Sequence, residues 1–291
     1  MLVTTKEMFE KAQKENYAIP AANFFDLDSA RTFVEVAEKM QKPLILAFAQ
    51  AHIEECPLEE AALIATYLAK KASVPVALHL DHGQDEEIIK QAIELGFTSV
   101  MIDASQDEIE TNIRRSKAIT EYAHERGVVV EAEIGHVGTG NSYEFKETTD
   151  TIYTEVEEAA RFAKETGVDS LAVSIGTAHG QYKGTPKISF ERLEEIKNEV
   201  SIPLVLHGGS SSGDENLHKC AVSGINKINI FTDFITAAID VINEEKPEDY
   251  FTLKRLANQA IADTFIALLQ SICNKIEEGS HENSKKTIFC G

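Results

Sequence analysis

The stretch Pro75-Val76-Ala77-Leu78-His79-Leu80-Asp81-His82-Gly83 decides how the rest of the chain is read. Its opening residues form an apolar run of β-branched and leucine side chains, with Ser73 and Pro75 at the entrance, the pattern of a short buried strand over 75–80. The run stops abruptly at a carboxylate, an imidazole and a glycine. Such a pair at a strand end has two readings. One is a hydrogen-bonded Asp and His closing a turn; the other is an acid/base beside a metal ligand, both aimed at one small molecule.

On either side of this stretch, short apolar runs alternate with longer, charged, helix-periodic segments, the rhythm of βα units. The strands expected are 18–23, 43–49, 75–80, 99–103, 128–133, 170–174, 203–206 and 227–230. The helices between and after them are 27–40, 58–71, 85–95, 107–126, 155–165, 190–199, 215–223 and 233–243, with Gly96, Gly127, Gly167 and Gly224 placed as helix stops. Eight such units define an α/β fold and close most naturally into a (β/α)8 TIM barrel, an open doubly wound sheet being the alternative. We adopt the barrel. One further C-terminal helix is expected over 251–276, giving a single barrel domain over 1–278 and a polar tail over 279–291. Two connections, 135–154 and 179–189, exceed a minimal loop and mark functional segments.

The chain has 291 residues, 43% of them hydrophobic, enough for one large domain. Against 48 Asp and Glu stand 28 Lys and Arg, a formal charge of −20 that argues against nucleic acid or an anionic membrane as partner. The same field opposes anionic substrates, so a phosphate site needs helix N-termini, backbone amides, a cation or a placed Arg. Cys56, Cys220, Cys273 and Cys290 form no C-x-x-C pair and fit reduced thiols of a cytoplasmic protein. The start carries no export pattern; Thr4 and Glu7 suggest a capping box ahead of a short amphipathic helix. The longest uncharged stretches, 43–53 and 264–274, are too short to span a membrane.

Barrel enzymes assemble their sites at the C-terminal ends of the strands. There this chain places Asp81 and His82 after strand three, Asp103 at strand four, Glu133 at strand five, His179 after strand six, His207 after strand seven and Asn229 late in strand eight. Three histidines with carboxylates between them suit a divalent metal. Zinc fits best, because three imidazoles with an open fourth position make a catalytic site. After strand seven comes His207-Gly208-Gly209-Ser210-Ser211-Ser212-Gly213, and Asn229-Ile230-Phe231-Thr232 leads from strand eight into a helix. Those loops are the usual phosphate position of such barrels. The remaining histidines, His52, His124, His218 and His281, are read as having no convergent carboxylate, His79 as a satisfied core residue, and His136 as near the site without being a ligand.

These motifs together resemble the class II, metal-dependent ketose-bisphosphate aldolases, the family of fructose-bisphosphate and tagatose-bisphosphate aldolases. The resemblance runs from Met1 to at least Asn243. It rests on Leu80-Asp81-His82-Gly83, Val130-Glu131-Ala132-Glu133, the run from Gly167 to Val173 leading to Gly176-Thr177-Ala178-His179-Gly180, Tyr182-Lys183-Gly184, Leu206-His207-Gly208-Gly209-Ser210 and Lys227-Ile228-Asn229. It implies a lyase of carbohydrate metabolism and glycolysis that cleaves a ketose 1,6-bisphosphate, foremost fructose 1,6-bisphosphate, to dihydroxyacetone phosphate and glyceraldehyde 3-phosphate. Tagatose 1,6-bisphosphate or a related phosphorylated keto-sugar is the nearest alternative. By the resemblance, His82, His179 and His207 hold the catalytic Zn2+, Asp103 and Glu133 match a second divalent site, and Asp81 is the catalytic acid/base. Gly180, Gly208, Gly209, Ser210, Asn229, Ile230, Phe231 and Thr232 match the dihydroxyacetone phosphate positions, with a monovalent cation, Na+ or K+, nearby. It also implies a homodimer or homotetramer, in which an Arg near the last helix binds the distal phosphate; Arg255 is the counterpart here.

The chain departs from the family where many members carry Ser-Glu-Gly after strand two and it has Ala49-Gln50-Ala51. It departs again in the loop Thr139-Gly140-Asn141-Ser142-Tyr143-Glu144-Phe145, where a Gly-rich acidic sequence is usual. A metal-dependent hydrolase on the same barrel is the competing class; it would want an H-x-H pair on strand one, and residues 18–25 contain no histidine.

Overall fold

The structure, a computed structural model, describes residues 1–135, 153–180 and 186–273. The eight strands are β1 (Ile19–Asn23), β2 (Leu44–Ala49), β3 (Val76–Gly83), β4 (Ser99–Ile102), β5 (Val129–Ile134), β6 (Ser170–Val173), β7 (Leu204–Leu206) and β8 (Ile225–Ile230). They pair in chain order, all parallel, and β8 closes on β1 with Ala21 opposite Asn229. Around them run α2 (Leu27–Met40), α3 (Leu58–Lys71), α4 (Glu86–Glu94), α5 (Ile109–His124), α6 (Val156–Thr166), α7 (Phe190–Glu199), α8 (Asp214–Ser223) and α9 (Thr232–Glu245). The expected TIM barrel is the fold observed.

Two apolar cores follow from the alternation of side chains along each strand. Outward-facing residues such as Ala22, Leu46, Leu78 and Val130 pack beneath the helices in one large cluster. Ile19, Ala21, Ile45, Ala47 and Ala77 form a second cluster with Met8, Phe9 and Ala12 of α1 (Thr5–Glu15), so this N-terminal helix plugs the floor of the barrel. Small alanines at mid-height leave room in the interior, and above them the inward positions turn polar: His79, Asp81, Glu131, Glu133, Lys227 and Asn229 are all buried.

The extra C-terminal helix, α10 (Tyr250–Cys273), is present and packs on α2, α8 and α9. Its Phe265 meets Phe33 of α2 and Phe234 of α9 at ring-centroid distances of 5.3 and 5.9 Å, contacts worth about 0.5–1.5 kcal/mol each beyond their buried area. By length and hydropathy this helix could cross a membrane, which the uncharged stretches alone did not reveal; Ile261, Phe265, Leu268, Leu269 and Ile272 are instead buried against the barrel.

Several boundaries differ from the sequence expectation for identifiable reasons. Strand three does not stop at Leu80 but continues to Gly83 through an irregularity, with a register shift against β4 and His82 in the left-handed region at φ 47°. Consecutive residues of a regular strand face opposite sides; the bulge aims both Asp81 and His82 at the barrel mouth. Strand eight starts two residues early, because the Asn226 side chain accepts the Leu204 N–H where the β7–β8 register shifts. The capping box at Thr4 does not form: Thr4 occupies the cap position without a side-chain bond. The reciprocal box lies at α2, between Asp26 and Ser29. His136, His281, Cys290, the segments Thr139 to Phe145 and Tyr182-Lys183-Gly184, and the polar tail lie outside the described residues.

Candidate active site

Asp81 is buried at the top of β3, and both its oxygens are held. Asn23 Nδ2, from the end of β1, donates to Oδ2 at 2.7 Å, and Asn229 Nδ2, from β8, donates to Oδ1 at 2.9 Å. Burial alone would push this carboxyl up, but the neighbouring His82 and His207 outweigh it and hold it well below the usual carboxylate range. A fixed, ionised carboxylate results.

His82, His179 and His207 arrive from β3, from the end of β6 and from the end of β7, and offer nitrogens that all lie within 4.8 Å of one another. Their partners assign the protons. His207 Nε2 meets Glu131 Oε1 at 2.9 Å, so that nitrogen carries the hydrogen and Nδ1 keeps its lone pair. His82 Nδ1 meets Asp103 Oδ2 at 2.8 Å, which leaves Nε2 as the lone-pair nitrogen. His82 Nε2 and His207 Nδ1 then face each other at 2.9 Å. Two acceptors so close repel unless a cation lies between them, and two nitrogens on one tetrahedral zinc sit about 3.3 Å apart. The donor set fits a divalent metal. Without one the site gathers a proton: burial opposes it, but Asp81 and the hydrogen bond to Asp103 push His82 up to about 9. His179 is pushed down to about 3 by burial and by the other two imidazoles.

Asp103 and Glu133 form a second cluster with His82, again with ligand atoms within 4.8 Å. Asp103 therefore has two geometric roles open to it, orienting His82 or holding a second ion. Its carboxyl, which burial would push up, is held low by the His82 bond.

Beneath the histidines lies a buried ionic chain. Lys227 Nζ donates to both oxygens of Glu131, at 2.8 and 2.7 Å, and to His79 Nε2 at 3.1 Å, while His79 Nδ1 meets Ser99 Oγ at 2.8 Å. His79 is the satisfied core residue expected, its pKa pushed down to about 3 by burial and then by Lys227. Sequence reasoning missed the positioning parts played by Asn23, Glu131 and Lys227. A signal existed: Glu131 with Glu133, and Lys227 with Asn229, are spaced by two on strands, so each pair shares the inward face.

Above the metal-ligand cluster is a cavity of about 160 Å³. Gly180, Gly208, Ser210, Asn229, Ile230, Phe231 and Thr232 line it, while Gly209 lies behind it against Ile228. Gly208 has φ 66°, and a side chain there would collide with the Ala178 backbone. Ser210 Oγ accepts the Phe231 N–H at 3.2 Å, joining the two loops at the N-terminus of α9. Arg255 is not brought to this cavity within one chain. It lies on the outer face, in a groove between α2 and α10, with its Nη2 donating to Thr252.

Of the histidines set aside in the sequence, His124 is corrected here and His52 gains a place at the site. His124 has a carboxylate partner, Asp169, at 2.7 Å on the opposite side of the barrel. His52 lines the site cavity itself, from the 3-10 turn Gln50–His52 that follows β2.

A parallel barrel with a preorganised carboxylate beside three convergent imidazoles defines a metal-site lyase or hydrolase class. The family model for class-II fructose-bisphosphate aldolase matches residues 3–277. The protein YdjI of Escherichia coli (strain K12) is 35% identical over 263 residues, covering 90% of this chain and 94% of that protein. The crystal structure of the YdjI aldolase superimposes with a TM-score of 0.83 at 31% identity, over 94% of this chain and 97% of that one. A fructose-1,6-biphosphate aldolase from Coccidioides immitis, so described as putative, gives 0.82 at 29% identity, over 92% and 95% of the two chains. The chain belongs to the class II fructose-bisphosphate aldolase family and is a lyase.

Proposed function

We propose that this protein cleaves a ketose 1,6-bisphosphate, foremost fructose 1,6-bisphosphate, into dihydroxyacetone phosphate and glyceraldehyde 3-phosphate, with Zn2+ as its cofactor. The observation that carries the reading is the convergence of His82, His179 and His207 nitrogens, all within 4.8 Å of one another, beside the doubly held Asp81. His82, His179 and His207 would hold the ion, which supplies positive charge to the ketone oxygen of the substrate. The chain does the rest. Asp81 accepts the C4 hydroxyl proton; as the C4 carbonyl forms, the C3–C4 bond breaks and its electron pair passes into the ketone, leaving an enediolate half that takes up a proton from water at C3, after which Asp81 gives its proton back to solvent. Asn23 and Asn229 keep the Asp81 oxygens aimed, so no reorganisation is needed at the moment of transfer. Gly180, Gly208, Ser210 and the N-terminus of α9 bind the first phosphate, with a monovalent cation, and Asp103 and Glu133 provide a second divalent site.

A second reading has its own support: no Lys or Arg among the described residues lines the cavity. A ketose with a single phosphate would need no distal cation, whereas a bisphosphate would need one from beyond this lining, for which Arg255 of a neighbouring subunit is the candidate. The test is a side-by-side cleavage assay on fructose and tagatose bisphosphates and on fructose 1-phosphate, after chelation and again after zinc return. Activity that survives complete metal removal, or no aldol cleavage of any of the three, would overturn the proposal.

A further inference from the structure

The β1–β2 side of the cavity is lined by Asn23, Ala49 and His52, whereas the phosphate arc comes from the loops after β6, β7 and β8. Asn23 spends its amide on Asp81, and Ala49, opposite Asp81 in the β2–β3 register, offers only a methyl group. Gln50 turns away: its Oε1 accepts the Gln84 and Asp85 N–H groups at the start of α4, pinning the turn. His52 is left as the polar group there. Its ring is wedged against Phe231 at 4.8 Å and edge-on to Phe48 at 6.3 Å. Among the described residues neither ring nitrogen has a hydrogen-bond partner, and Nδ1 is shut off from solvent. An imidazole held rigidly at the wall of a reaction cavity with both nitrogens unused is a group waiting for a ligand.

We infer that His52 is a specificity-determining residue that hydrogen-bonds an oxygen of the aldehyde half of the substrate, the part beyond C4. Three features place it there. It follows β2, three strands around the barrel from β7 with its His207 and four from β6 with its His179, it lies beside Asn23 and Ala49 on the β1–β2 side of the cavity, and the small Ala49 opens the space beside Asp81, where the new carbonyl forms. Nδ1 is enclosed, so Nε2 is the ring nitrogen left to reach a ligand in the cavity. An N–H donor suits the acceptor oxygens of either a hydroxyl or a terminal phosphate. This inference rests on the aldolase reading.

The test separates the two halves of the substrate. Exchange of the C3 proton of dihydroxyacetone phosphate with D2O, followed by NMR, uses the phosphate arc, the metal and the proton-transfer group but needs no aldehyde. Condensation of dihydroxyacetone phosphate with glyceraldehyde 3-phosphate, or with unphosphorylated glyceraldehyde, needs both halves. His52→Phe keeps the ring against Phe231 and removes the nitrogens; His52→Gln restores a donor. The ratio of condensation kcat/KM to exchange rate should fall at least about tenfold in His52→Phe, the scale of one lost hydrogen bond in a closed site, and recover in part in His52→Gln. A fall confined to glyceraldehyde 3-phosphate assigns the terminal phosphate, and a fall with both aldehydes assigns a hydroxyl. If exchange and condensation fall in parallel, or the ratio stays within twofold, His52 does not read the aldehyde and the inference is wrong. Should the unmodified enzyme show no exchange at all, it is the aldolase reading that fails.

Discussion

Lys227→Met removes the one ammonium from the buried chain under the metal-ligand cluster while keeping most of the side-chain volume. In the native barrel Lys227 is fully buried and gives two hydrogen bonds to Glu131 and one to His79. Burial alone would raise the Glu131 carboxyl; the Lys227 charge, and after it the His207 bond, hold it well below its ordinary value. Without Lys227 the carboxylate is left enclosed with only His207 as donor. Breaking a buried pair on one side costs about 3–5 kcal/mol, which at about 2–4 °C per kcal/mol for a domain of this class lowers the melting midpoint by about 6–20 °C. Urea unfolding of the metal-stripped protein is the appropriate assay, since bound metal would add its own linkage to the comparison. Adding Glu131→Gln to Lys227→Met removes the orphaned charge and should restore more than half of the loss, a coupling read from the double-mutant cycle. A single variant that loses less than about 1 kcal/mol, or a double variant no more stable than the single, would refute the view that the interior charges hold one another.

His179→Ala and His207→Ala should each abolish cleavage together with stoichiometric zinc by atomic absorption, and a variant with full metal and full rate would remove that residue from the ligand set. Substrate plus borohydride should leave no reduced adduct by mass spectrometry, because the interior lysine, Lys227, is committed to Glu131 and does not line the cavity. Arg255→Ala should raise KM for a bisphosphate by an amount equivalent to about 1.5–3 kcal/mol while leaving dihydroxyacetone phosphate binding nearly the same; unaltered bisphosphate kinetics would favour the single-phosphate substrate. Cys220 and Cys273 thiols are both pushed up to about 12 by burial, so at pH 8 they stay protonated and should react with iodoacetamide only on unfolding, as peptide mapping of native and urea-treated protein will show.

The barrel was legible because its strands are buried on both faces and several of them, such as β2 and β7, read as continuous apolar runs, with glycines such as Gly167 and Gly224 stopping helices where the structure has their caps. Rim residues were legible for a related reason: Asp81 and His207 are polar residues set directly after apolar runs, and His179 follows β6 within a short Gly-containing segment. Inward-facing polar residues within a strand were harder. Glu131 and Lys227 look like the ordinary polar half of an alternating strand, and only the closed barrel shows that this half faces an interior and not solvent. Asn23 is one amide at a strand end, a position where Asn is common for turn reasons alone. His52 was hidden because its role depends on Phe231, which lies far along the chain on the neighbouring side of the mouth. Arg255 shows the opposite limit: its place in the sequence suggested a site residue, and the folded chain puts it on the outer face, away from the cavity.

The irregular end of β3 sets a tolerance for the chemistry. His179 and His207 reach the site from β6 and β7, so their distances to the base depend on the whole barrel wall. Asp81 and His82 are separated by a single peptide unit, with Cα atoms about 3.8 Å apart whatever the barrel does. The spacing between proton acceptor and first ligand is thus fixed by covalent geometry, at the cost of holding a histidine at φ 47°. A one-residue deletion between Leu80 and Gly83 would take one of the two groups with it. Loops around this mouth can be exchanged to suit new aldehydes; this dipeptide cannot be split.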